Sequence, residues 1–99
     1  MGSRSDLNAT FKELAPHVYF QPPNDAQMEY PCITYERSTP ETRFAGNKKY
    51  LNVQRYTATV IDADPDSPIR EAVEQLPLCS WSTFFVANNL NHDVFDVYF

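Results

Sequence analysis

Between Val60 and Leu76 the chain reads VIDADPDSPIREAVEQL, and within these residues the apolar period changes. Upstream, Tyr56, Ala58 and Val60 recur at every second position, the pattern of a strand with one buried face. Downstream, Ile69, Ala72, Val73 and Leu76 fall at i, i+3, i+4 and i+7, one face of a helix that Pro77 stops. The switch is made at Ser67-Pro68. Ser67 is the natural N-cap, Pro68 is preorganised for the first helical position, and Asp64 and Asp66 place negative charge near the positive end of the helix. A strand, a charged corner and a capped helix in direct succession point to an α+β domain. The alternate Asp62, Asp64 and Asp66 also resemble the start of a calcium-binding loop, so a small calcium-binding domain is the alternative from another function class. An EF-hand requires glycine at the sixth position and a bidentate Glu at the twelfth. Here those positions hold Ser67 and Val73, with Pro65 inside the loop.

The same signals organise the rest. Leu7, Phe11 and Leu14 predict a helix from Asp6 to about Ala15, ended by Pro16. His17 to Phe20, between prolines, reads as an extended segment that can lie along the sheet or the body as a short strand, though it is not counted among the sheet's four. CITYER is a strand with Ile33 and Tyr35 on one face. STPETRFAGNKK, residues 38–49, contains Pro40 and Gly46-Asn47 and reads as an extended hairpin arm. YLNVQRYTATVID is a long second strand whose apolar parity changes, suggesting a bulge near Gln54-Arg55 or burial of first one face and then the other. The tail forms a hairpin: an apolar strand to Ala87, a turn through Asn88-Asn89-Leu90-Asn91, and a strand to Phe99. Trp81, beside Cys79 and Phe84, reads as core, with an interface hot spot as its functional reading. The resulting expectation is one domain, residues 1–99, in αββαββ order. It has a four-stranded mostly antiparallel sheet, two helices on one face and a long β-hairpin arm.

Function is bounded mainly by what is absent. The net charge of −5 argues against a sequence-independent nucleic-acid binder, which needs many Lys and Arg contacts to phosphate. Charge is also segregated. Arg37, Arg43, Lys48, Lys49 and Arg55 lie in one basic stretch, whereas Asp62, Asp64, Asp66, Glu71, Glu74, Asp93 and Asp96 follow with Arg70 alone. Such polarity suits head-to-tail association, and ordinary solvated faces would account for it equally well. Cys32 and Cys79 lack metal or redox spacing and read as reduced, buried thiols of a cytosolic compartment, a disulfide between them being the other option. No apolar run reaches membrane-spanning length, and MGSRSDLN lacks the apolar core of a signal peptide, so neither a membrane anchor nor export by the usual route is expected. His17, His92, the two thiols and scattered carboxylates form no grouped nucleophile, base and stabiliser, and no phosphate-cradling glycine loop occurs. An enzyme is not expected, nor a cofactor or catalytic site.

Taken in order, HVYFQPP, YPCITYERS, YLNVQRYTATVIDADPDSPI, LPLCSWSTFF and NNLNHDVFDVYF resemble the tail terminator, or head-to-tail joining, proteins of long-tailed, siphovirus-type bacteriophages. The resemblance spans roughly residues 17–99. It implies the αββαββ fold and a structural protein of the virion, placed at the tail-neck junction and made in the host cytoplasm. Six copies would form a homo-hexameric ring that caps the tail tube, ends tail polymerisation and joins the tail to the head connector. Its partners would be the major tail tube protein and a head-completion or connector protein, with DNA passing through the lumen without specific binding. Another neck component, such as a head-completion or connector ring protein, is the nearest alternative. A cyclic ring uses a heterologous interface, so a basic arm on one subunit can meet an acidic surface on the next. Charge segregation and arm length nominate Arg43, Phe44, Lys48, Lys49 and Tyr50 as the arm's contacts and Asp64 and Asp66 as the facing surface.

Overall fold

The computed structural model describes residues 4–23, 27–38 and 55–98. They form α1 (Arg4–Leu14), β1 (Val18–Phe20), β2 (Cys32–Arg37), β3 (Arg55–Asp62), α2 (Pro68–Glu74), β4 (Cys79–Ala87) and β5 (Leu90–Tyr98). The strands make one five-stranded sheet in the order β1-β2-β3-β5-β4. β1 runs parallel to β2, and the other neighbours are antiparallel.

The expected four-stranded, mostly antiparallel sheet in αββαββ order is therefore wrong. The sheet is five-stranded and mixed, and the order is α1 β1 β2 β3 α2 β4 β5. The extra strand is Val18–Phe20, only three residues long, which is too short to display any period. Backbone pairing holds it in place: Ile33 N–H donates to the His17 carbonyl at 2.9 Å and Gln21 N–H to the Tyr35 carbonyl at 2.8 Å. The proposed arm, 38–49, and the expected bulge near Gln54-Arg55 lie outside the described residues, apart from Ser38 and Arg55. Ser38 continues the β2–β3 pairing, its N–H donating to the Arg55 carbonyl at 2.9 Å.

Both helices cover one face. Leu7 and Phe11 of α1 and Ile69 and Val73 of α2 share a single core with Ile33, Tyr35, Tyr56, Ala58, Val60, Phe95 and Val97. Tyr35 ties these layers together. Its ring lies 5.4 Å from Phe11, 4.9 Å from Phe20 and 5.9 Å from Tyr56, and its hydroxyl donates to Asn8 Oδ1 at 2.7 Å. An aromatic body in the core and a satisfied hydroxyl at its edge suit a fully buried tyrosine.

The strand-to-helix corner follows its local chemistry. Ser67 Oγ accepts from the N–H groups of Ile69 at 3.2 Å and Arg70 at 3.5 Å, and α2 begins with Pro68. The β4–β5 connection is tighter than expected: only Asn88 and Asn89 form the turn, with φ of 55° and 63°. Two successive left-handed residues make the kind of turn that matches strand twist, and Asn tolerates that region better than most residues.

Candidate functional site: an uncovered edge strand

β4 reads CSWSTFFVA and contains no charged residue and no proline. As a sequence it is indistinguishable from a central strand. Among the described residues the sheet order nevertheless puts it at the edge, and Trp81, Phe84, Phe85 and Val86 are 49%, 47%, 47% and 60% exposed. Trp81 is therefore not a core residue, contrary to expectation. The helix layer stops short of it.

Register shows how these side chains are displayed. Cys79 lies opposite Val97, and Trp81 opposite Phe95, so both point to the helix-covered side of the sheet. Between Trp81 and Thr83 the register shifts by one residue, at Ser82. Beyond this bulge Phe84 pairs with Asp93 and Val86 with Asn91, and the alternation restarts with Phe84 and Val86 on the same side as Trp81. Without the bulge these two would point the other way. Trp81 is oriented further by its indole Nε1–H, which donates to Asp93 Oδ1 at 3.2 Å. On the opposite side Phe85 stacks on His92, ring centroids 4.6 Å apart, while His92 Nδ1–H meets the Leu90 carbonyl at 3.0 Å. Trp81 and Phe85 are thus held in place by neighbours on β5.

A small apolar cavity of about 70 Å³ lies beneath the start of β4, lined by Leu7, Thr10, Leu76, Leu78, Cys79 and Val97 among others. Cys79 and Cys32 are both free thiols, so no disulfide joins them. Burial pushes each up to about 11, which leaves them protonated and weakly nucleophilic near neutrality.

The sequence-nominated contacts divide in two. Arg43, Phe44, Lys48, Lys49 and Tyr50 lie outside the described residues. Asp64 and Asp66 are exposed at the corner before α2. The aspartates there serve the backbone: Asp62 Oδ1 accepts from Asp64 N–H and Asp64 Oδ1 from Asp66 N–H, each at 2.9 Å. Among the described residues no group of three or more His, Cys, Asp or Glu is placed to hold a metal ion. The corner is also tied to the β4–β5 hairpin, because Asn91 Nδ2 donates to the carbonyls of Asp62 at 3.1 Å and Ala63 at 3.3 Å. The acidic corner and the Val86 end of β4 thus share one end of the sheet. One supposed member of the basic stretch is engaged within its own chain, since Arg55 pairs with Asp96 at 3.1 Å.

The exposed β4 residues are what sequence reading missed. Edge strands usually carry charge, proline or shortness as protection, and β4 has only its bulge. No protein-family model, curated protein or solved structure matches the chain.

Proposed function

We propose that this chain is a structural assembly subunit that works through contacts between protein surfaces rather than by catalysis. The observation that carries this reading is β4: nine uncharged residues at a sheet edge with Trp81, Phe84, Phe85 and Val86 exposed. An apolar edge protected by a bulge alone is a liability in a lone monomer and an asset in an assembly. The resemblance of the HVYFQPP, DADPDSPI and NNLNHDVFDVYF segments to siphovirus-type tail terminators supplies the setting. In this reading a six-membered ring caps the tail tube, ends its growth and receives the head connector, and DNA crosses the lumen without specific binding. Arg43, Lys48 and Lys49, with Phe44 and Tyr50, reach the Asp64-Asp66 corner of the next subunit. The exposed position of that corner is compatible with such a contact.

The test is electron microscopy of virions carrying labelled copies, together with purified tail tubes to which the protein is added. Wild-type protein is expected at the tail-neck junction and as a ring on tube ends. The triple charge reversal R43E/K48E/K49E is expected to stay folded and lose the ring. Labelled copies elsewhere in the virion, or rings that survive the reversal, would refute the respective part of this reading.

A further inference from the structure

We propose that in the free protein two copies join their β4 strands edge to edge, antiparallel about a twofold axis passing between Ser82 and Thr83, so that one sheet runs through both. This goes beyond the ring reading and does not depend on it.

The argument starts from the backbone. Tyr98 N–H donates to the Leu78 carbonyl at 3.0 Å, which turns the polar groups of Leu78, and by alternation of Ser80, toward β5. Those of Cys79 and Trp81 then point outward. The bulge at Ser82 resets the alternation, and in the two-residue hairpin Ala87 pairs with Leu90, so Thr83, Phe85 and Ala87 bond toward β5 while Phe84 and Val86 point outward. Cys79, Trp81, Phe84 and Val86 therefore share two properties. Their N–H and C=O groups face the open edge, and their side chains lie on the helix-covered side.

A self-pairing must set outward groups against outward groups and match side-chain faces. These four positions are symmetric about the midpoint between residues 82 and 83. One antiparallel register accordingly satisfies the whole strand: Trp81 opposite the partner's Phe84, Cys79 opposite the partner's Val86, and Ser80 opposite the partner's Phe85. The two bulges meet at the axis. A strand with regular alternation would not have this symmetry between Trp81 and Phe84, so the bulge both exposes the aromatics on one side and makes the edge self-complementary. The other edge of the sheet is no substitute as a partner, because β1 has three residues against nine in β4.

Exposed apolar area adds to the backbone pairing. Trp81, Phe84 and Phe85 each leave roughly 100 Å² exposed, and with Val86 the exposed apolar area is about 400 Å² per copy, of which edge pairing covers the part that faces the partner strand. A standard interface removes about 800 Å² per partner, so this patch with Ser80, Ser82, Thr83 and the strand backbone lies below that class, as suits a dimer that dissociates on dilution. No like charges oppose the approach, since β4 carries none.

Sedimentation of the purified chain over a concentration series is expected to show a monomer–dimer equilibrium. Emission from Trp81, the sole tryptophan, should shift to longer wavelength on dilution. Ser82→Lys, which sets two ammonium groups beside the axis, should weaken the dimer at least tenfold with the circular dichroism unchanged. The double variant S80C/F85C is expected to give a covalent dimer on mild oxidation, whereas S80C alone should not, because the two copies of residue 80 lie five residues apart in this register. A chain that stays monomeric at about 500 µM would overturn the proposal. So would a dimer untouched by Ser82→Lys, or one in which S80C alone cross-links. The ring is scored on tail tubes and virions, so failure of the β4 pairing would leave that reading standing, and failure of the ring would not remove a dimer seen here.

Discussion

The half-exposed Trp81 donates its indole N–H to the buried carboxylate of Asp93, 3.2 Å away on the neighbouring strand. A carboxylate with 8% exposure needs such a partner, and Trp81 needs a tether to hold its ring at the open edge. Trp81→Phe keeps most of the aromatic area and removes the donor, so it should cost about 1–3 kcal/mol in urea denaturation followed by circular dichroism. Asp93→Asn retains an accepting oxygen and should cost less. Equal losses for the two would argue against this bond as the source.

Ser67 is 3% exposed and caps α2 through two backbone N–H groups. Ser67→Ala should lower stability by about 1 kcal/mol, read from denaturant midpoints at unchanged m-value.

The Asn88-Asn89 turn places two non-glycine residues at positive φ. Asn89→Gly should raise stability by about 0.5 kcal/mol, because glycine adopts that conformation without a Cβ penalty, while Asn89→Val should lower it by about 1–2 kcal/mol. Thermal melts of the two variants should move in opposite directions.

The thiols set an alkaline limit. Burial raises Cys32 and Cys79 from 9.0 to about 11. Between these values the unfolded chain loses protons that the folded chain keeps. The stabilisation is therefore complete below about pH 9 and falls as pH rises toward about 11. Denaturation midpoints across that range should decline for the wild type, and less steeply for Cys79→Ser. Native thiols should also react slowly with a disulfide reagent at pH 8, and quickly once the chain is unfolded.

Much of the local structure was legible. The Leu7/Phe11 stripe, the Ile33/Tyr35 alternation and the Phe95/Val97 alternation all proved to be core-facing, and Ser67-Pro68 begins a helix in the expected way. Helix ends were less legible: α1 runs Arg4–Leu14 rather than from Asp6 to about Ala15, and α2 ends at Glu74 rather than Leu76. β1 was legible as a short extended strand but not as a member of the sheet, because a three-residue segment has no period and its pairing depends on β2, more than a dozen residues further on. Trp81, Phe84 and Phe85 were read through their hydrophobicity, which is the same for a central strand as for an edge.

The sequence by itself determined what neighbours within a few residues decide: which faces are apolar, where Pro16 and Pro77 stop helices, and how the Asp62-to-Ser67 corner caps α2. Tertiary structure alone decided that β3 and β5 pair along their whole length, from Arg55 opposite Tyr98 to Asp62 opposite Asn91. That pairing moves β4 to the outside. An edge strand is defined by the neighbour it lacks, and the competition among strands for partners is settled across the whole chain rather than within CSWSTFFVA.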